Sequence, residues 1–295
     1  EIATLQYIFE FLDAYDFASE GSEEIQEDNK TIINASVLGL IFEKINGYKD
    51  GSFYTPGSIT MYMSREVLRK ATVEKFNEAK SWNCENFEDL TEDINSYIKD
   101  FPNGRKEARK ELNQIFNSLR ICDPAVGSGH FLVSVLNELI AIKQDLHILC
   151  DKNFEVLNSY EITVQNDELI IEADKVFFKY NPKNKESQRV QETLFHEKET
   201  LIENCLFGVD LNPNSVKICR LRLWIELLKN AYYKTETELE TLPNIDINIK
   251  NGNSLVSRFA LDSDLKSAFK KSKITVEDYK NAVRDYKDAE SKEKK

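Results

Sequence analysis

The sequence predicts a doubly wound α/β core preceded by a helical region. Three observations carry that prediction. From Leu119 onward, short apolar runs alternate with tight turns and amphipathic helices, the pattern of a parallel sheet with helical crossovers. One turn, Asp123 to Gly129, places two glycines between a strand and a helix. Before Leu119, apolar residues recur mainly at helical spacing.

Taken in order, residues 1–20 carry Leu5, Ile8, Phe9 and Leu12 in helical phase, and 21–30 form a polar loop. A helix is expected at Ala35 to Ile45, with Val37, Leu38, Ile41, Phe42 and Ile45 on one face. Gly51 and Pro56 break the chain before a further helix from Ile59 to Phe76. Residues 77–118 are polar and read as helical, interrupted at Phe101-Pro102-Asn103-Gly104. Arg120 to Asp123 forms the first core strand, and Phe131 to Leu149 a helix with Val135, Leu139, Ile142, Leu146 and Leu149 in phase.

Tyr160 to Val164 and Glu168 to Ile171 flank Gln165-Asn166-Asp167 as a β-hairpin, whose turn residue Asp167 is expected to take no part in ligand binding. A charged helix, roughly Ser187 to Glu203, leads into a second core strand, Cys205 to Asp210. A helix at Asn214 to Lys229, a strand at Ile245 to Lys250 and a turn at Asn251 to Ser254 follow. The expected division is a helical region over 1–118 and a core over 119–295, with an insertion at 151–203 and a charged helical tail at 262–295.

Composition narrows the class. Hydrophobic residues make up 41% and charged residues 31%, a globular balance, and no apolar run is long enough to span a membrane. The five cysteines are scattered and odd in number, with no C-x-x-C pair, which argues for a cytoplasmic protein without disulfides or zinc. His130, His147 and His196 show no ligand spacing, and no metal is expected. A net charge of −12 is the wrong sign for a self-sufficient DNA-binding module. Glu1 at the start and the charged run to Lys295 read as the ends of a fragment.

The chemistry concentrates in Asp123-Pro124-Ala125-Val126-Gly127-Ser128-Gly129-His130-Phe131. Glycines at 127 and 129 allow close backbone approach, and the helix that follows presents free N–H groups. Dinucleotide folds use the same position, but Leu132 stands where their third glycine belongs. Asp123 disfavours a pyrophosphate and favours a cationic sulfonium or amino group.

This string resembles motif I, the cofactor loop of adenine-specific DNA methyltransferases in which the cofactor motifs precede the catalytic one. Three further strings resemble that family in the expected order. Gly51-Ser52-Phe53-Tyr54-Thr55-Pro56 is similar to motif X, Phe207-Gly208-Val209-Asp210-Leu211-Asn212 to motif II, and Asn251-Gly252-Asn253-Ser254-Leu255 to motif III. Val37 to Glu43 resembles the helix before motif X in large type II restriction–modification proteins. The resemblance implies a partial Rossmann-like core of the class I S-adenosylmethionine-dependent methyltransferases, with a helical N-terminal region and a β-hairpin insertion. It implies cofactor contacts from Tyr54, Thr55 and Pro56, from Asp123, Pro124, Ala125, Gly127, Ser128, Gly129 and Phe131, and from Asp210, Leu211, Asn253 and Ser254. Asp210 would take the ribose hydroxyls, and the motif III polar side chain would reach the adenine.

One departure matters. The family's catalytic Asn/Asp-Pro-Pro-Tyr/Phe needs adjacent prolines, and the six here (56, 102, 124, 182, 213 and 243) are all separated. No catalytic residue is therefore assigned within this segment. The resemblance implies that the parent methylates adenine in double-stranded DNA, gripping it through regions outside this segment. Alternatives are a non-catalytic cofactor-binding relative, a methyltransferase acting on RNA or protein, and a dehydrogenase, which Leu132 disfavours.

Overall fold

The computed structural model describes residues 55–256, except 158, 166, 236, 237, 244, 246 and 247, together with 275–287 and two short strands at 15–16 and 31–32. Those short strands, Tyr15–Asp16 and Thr31–Ile32, pair in parallel. This corrects the helical reading at Tyr15 and Asp16. Aromatic and β-branched residues suit a paired strand, and the stretch between the two is long enough for the crossover that parallel pairing requires. The rest of that helix, the helix at Ala35 to Ile45, most of the charged tail, and Tyr54 lie outside the described residues.

Among the described residues, three helices precede the sheet: α1 (Gly57–Lys80), α2 (Phe87–Asp100) and α3 (Arg105–Phe116). Asn86 caps α2 by accepting the Asp89 N–H, and Gly104, at φ +90°, turns the chain from α2 into α3. The turn at 101–104 falls where Pro102 and Gly104 predict it. A second break, between Lys80 and Asn86, carries no proline or glycine and is not visible in the pattern. Phe76, Leu90, Ile94, Leu112 and Phe116 are fully buried between these helices, each worth roughly 1.5–3 kcal/mol of burial.

The sheet begins with β1 (Ile121–Asp123), followed by α4 (His130–Asp145). A meander of β2 (Glu161–Gln165), β3 (Glu168–Ala173) and β4 (Val176–Phe177) comes next. After it come α5 (Lys185–Asn204), β5 (Leu206–Asp210), α6 (Pro213–Leu228), β6 (Ile249–Asn251) and α7 (Val276–Lys287). Asp174 and Lys175 both have positive φ, as a two-residue turn between β3 and β4 requires.

β1, β5 and β6 lie side by side in that order, all parallel. The protein is therefore a mixed α/β structure with a parallel sheet. Asn212 starts α6 by accepting the Asn214 N–H, with Pro213 at the first helical position. α1 packs along α4, and α4, α5 and α6 pack on one another. One apolar core runs from Leu68 in α1 to Ile249 in β6, so the helices before the sheet share its interior. α5 contributes Leu194, Phe195 and Leu201 to that core.

Charged pairs tie the meander down. Lys229 bridges Glu226, at 2.7 Å, and Glu168 of β3, at 3.3 Å. Lys198 of α5, fully buried, donates to the Glu226 carbonyl at 3.0 Å. Asp167, in the β2–β3 turn, is only 7% exposed, and its carbonyl accepts the Asn137 side chain of α4 at 2.7 Å. It belongs to the packed interior and is more than a turn residue.

Candidate ligand-binding site

The parallel register brings Asp123 opposite Gly208 and Asp210 opposite Asn251, so both acids stand at carboxyl ends of neighbouring strands. Parallel α/β sheets receive ligands at that edge. Gly127 and Gly129 both have positive φ, +53° and +87°. The turn they make ends at the first residue of α4.

The turn and the second strand are locked together. The Gly127 N–H donates to Asp210 Oδ2 at 2.8 Å, and the Val126 N–H to the Val209 carbonyl at 3.0 Å. Asp210 Oδ1 accepts the Asn212 N–H at 2.8 Å. An ionised carboxylate has about four lone-pair sites, so Asp210 keeps acceptor capacity for a ligand's hydroxyls. Asp123 Oδ1 accepts the Ala125 N–H at 3.0 Å. Burial pushes the Asp123 carboxyl up, the Ala125 bond opposes this, and the charge of Asp210 adds to the rise. A cation arriving between the two acids relieves their repulsion, and an anion worsens it.

Other predicted residues fall around this edge. Pro124 and Ala125 are exposed, and Phe131 is half-buried at the start of α4. Leu211 is 73% exposed beside Asp210, although it is a large apolar side chain. Asn253 and Ser254 are exposed after β6, with Asn253 Oδ1 accepting the Leu255 N–H at 3.0 Å. Thr55 and Pro56 lead directly into α1, where Thr60 shares a hydrogen bond of 3.0 Å with Ser134 of α4. That bond holds the start of α1 against the turn-bearing end of α4. Ser128 differs: it is buried, with its side chain turned to the core. Tyr54 lies outside the described residues.

The geometry adds residues that the sequence reading did not single out. A Cβ on Gly208 would lie 2.9 Å from Val126 Cγ2, so the glycine before Val209-Asp210 lets β5 pass close beneath the turn. Asn251 donates its side-chain amide to the carbonyls of Asp210, at 3.0 Å, and Leu211, at 2.9 Å, fixing the loop behind the acid. Its signal was its position two residues before Asn253 in a run of turn-forming residues. Among the described residues no cluster of His, Cys, Asp or Glu could hold a metal ion, and no helix is long and apolar enough to cross a membrane.

A separate cavity of about 420 Å³ lies among Asn117, Asp151, Arg189, Glu192, His196 and Glu197. It shares no residue with the strand-edge site. Ion pairs cross its lining: Arg189 with Asp151 at 3.0 Å, Lys152 with Glu192 at 3.1 Å, and Lys143 with Glu197. Its acids and bases are matched to one another, whereas Asp123 and Asp210, at the ends of neighbouring strands, repel one another. The strand edge is therefore the better candidate for chemistry.

Residues 204–294 match the Eco57I restriction-modification methylase family, a span that begins just before β5 and takes in Asp210 and Asn253. Residues 1–33 match a domain of unknown function, DUF7814. The chain is 32% identical, over 273 residues, to a protein of Methanocaldococcus jannaschii named as a type II restriction enzyme and methyltransferase. That similarity covers 88% of this chain and 19% of the relative, so the chain spans about a fifth of the relative's length. No solved structure matches. Both the matched family and this relative are named as methylases or methyltransferases of restriction–modification type.

Proposed function

We propose that this chain is the S-adenosylmethionine-binding part of a site-specific adenine-N6 DNA methyltransferase, built on a partial Rossmann-like class I core. The observation that carries the reading is the bond from Gly127 N–H to the Asp210 carboxylate. It sets a glycine turn and a strand-end acid side by side, with a second acid, Asp123, beside them.

The residues fit the cofactor's chemistry. Gly127 and Gly129 bring backbone close to the ligand, and Asp210 offers its remaining lone pairs to ribose hydroxyls. Exposed Leu211 supplies an apolar surface for the adenine ring, with Asn253 and Ser254 near its polar edge. Thr55 and Pro56 approach from the α1 side, toward the methionine end, with Tyr54 just before them. Asp123 orients the positive end of the ligand. When bound, S-adenosylmethionine supplies an electrophilic methyl group on a positively charged sulfur. The chain's own contribution is to fix that group in place, since alignment of donor and acceptor is where most of the rate gain in a direct displacement originates.

The target adenine needs an Asn-Pro-Pro-Tyr element to accept its amino hydrogens and stack its ring, and this chain has no adjacent prolines. In this reading, the catalytic element and the surface that grips double-stranded DNA belong to other parts of the parent protein. Calorimetric titration with S-adenosylmethionine, with NADH in parallel, tests the reading. Binding of the first and not the second is expected; tight NADH binding with no response to S-adenosylmethionine would overturn it.

A further inference from the structure

Helix α6 presents Cys219 and Arg222, three positions apart on one face, to the core side of the glycine turn. Cys219 fills the space beside Gly129, where an added Cβ would meet its Sγ at 2.8 Å. Arg222 is 1% exposed, and its Nη1 donates to both the carbonyl and the hydroxyl oxygen of Ser128, at 3.3 Å each. Burying a guanidinium is costly unless its surroundings compensate the charge. Here the guanidinium grips the one residue between Gly127 and Gly129 that has a side chain. Two glycines in left-handed conformations have little of their own to hold the backbone still.

We propose that Arg222 is a positioning residue for the cofactor turn: by gripping Ser128 from the core side, it holds the Gly127–Gly129 backbone in the shape that meets the cofactor. The proposal rests on the S-adenosylmethionine reading above. The charge of Arg222 is answered from the meander. The Asp167 carboxyl is raised to about 6, chiefly by burial and also by Glu226, against a bond with Ser134 and the charges of His130 and Arg222, which draw it down. The β2–β3 turn, α4 and α6 thus converge behind the glycine turn, and Asp210 holds the Gly127 N–H from the front. A turn held on both sides loses less freedom when ligand binds, and that saving appears as affinity.

The test uses the 295-residue chain and reads S-adenosylmethionine affinity and melting temperature for wild type, Arg222→Met, Arg222→Lys, Ser128→Ala and the combined variants. Arg222→Met is expected to weaken binding on the order of tenfold. Arg222→Lys should recover part of the loss, since lysine keeps the charge but not the planar fork. The loss from Ser128→Ala should shrink or vanish in the Arg222→Met background, because both act through one contact. Wild-type affinity in a folded Arg222→Met protein overturns the proposal. So do strictly additive losses from Ser128 and Arg222, which would mark Arg222 as merely structural. If Arg222→Met does not fold, the cycle of Ser128→Ala with Arg222→Lys reads the same coupling. Absence of binding by wild type is a separate result, which removes the cofactor reading itself.

Discussion

The backbone N–H of Gly127 donates to the side-chain carboxylate of Asp210 at 2.8 Å, across 83 residues of sequence. The bond makes the turn after β1 and the end of β5 one structural unit. The other Asp210 oxygen holds the Asn212 N–H at 2.8 Å, and Asn251 steadies the Asp210 carbonyl. Asp210 is therefore the clamp that shapes this strand edge, and in the proposed reading its remaining lone pairs accept the ligand.

Replacing that clamp should be costly to binding. Asp210→Ala is expected to weaken S-adenosylmethionine by ~1.5–3 kcal/mol, the range for hydrogen bonds to a charged group. Calorimetry on the folded variant measures it. Glu78→Ala is the control, because Glu78 is a largely exposed α1 residue in a loose pair with Lys75. Equal losses from both variants would mean that the loss is not specific to Asp210.

Gly129→Ala should destabilise the fold by about 1–3 kcal/mol through backbone strain alone, since Gly129 sits at φ +87°. The new Cβ would also press on Cys219 Sγ at 2.8 Å. Adding Cys219→Ala should therefore recover part of the loss and leave the strain. Urea unfolding of the two variants separates the contributions. A neutral Gly129→Ala would mean that the turn does not need the left-handed conformation.

How much of this was legible beforehand depends on the range of each interaction. The glycine turn, both strand-end acids and the helices around them follow local rules: apolar periodicity, capping by Asn212 and Pro213, and glycine between strand and helix. The helical reading failed at Tyr15 and Asp16 because their partners, Thr31 and Ile32, lie beyond a window of local periodicity. The roles of Gly208, Arg222 and Asn251 were invisible for a related reason. Each depends on a residue brought close only by the finished sheet: Val126, Ser128 and Leu211. Asp167 looked like turn chemistry because nothing local to 165–168 shows that α4 and α6 close over it.

That burial makes a pH prediction for Asp167. Its carboxyl rises from 3.8 unfolded to about 6 in the fold, chiefly through burial. The folded state therefore holds the proton more tightly, and the contribution of this group to stability is fully present below 3.8 and lost as pH rises through about 6. The loss amounts to about 3 kcal/mol at most, at 1.36 kcal/mol per pH unit. Asp167→Asn cannot ionise, so its stability relative to wild type should increase between pH 4 and pH 7. Denaturant midpoints across that range test it; a difference that stays flat would show that Asp167 does not titrate there.

The last prediction is that this chain alone transfers no methyl group to DNA and has little specific affinity for it. Two independent features motivate it. Nothing in the sequence supplies adjacent prolines after an Asn or Asp, so no element is present to hold the amino group of a flipped adenine. The net charge of −12 also opposes phosphate contact, which supplies nearly all non-specific affinity for DNA. Weak binding at low salt is compatible with local basic patches and should fade as salt rises, because released counterions make such contacts salt-sensitive. The assay combines adenine-containing duplexes, labelled S-adenosylmethionine and the chain at high concentration. Label appearing in adenine above a protein-free blank would show that the catalytic residues lie within these 295 residues after all. Tight, sequence-selective binding at physiological salt would place recognition here too, against the charge argument.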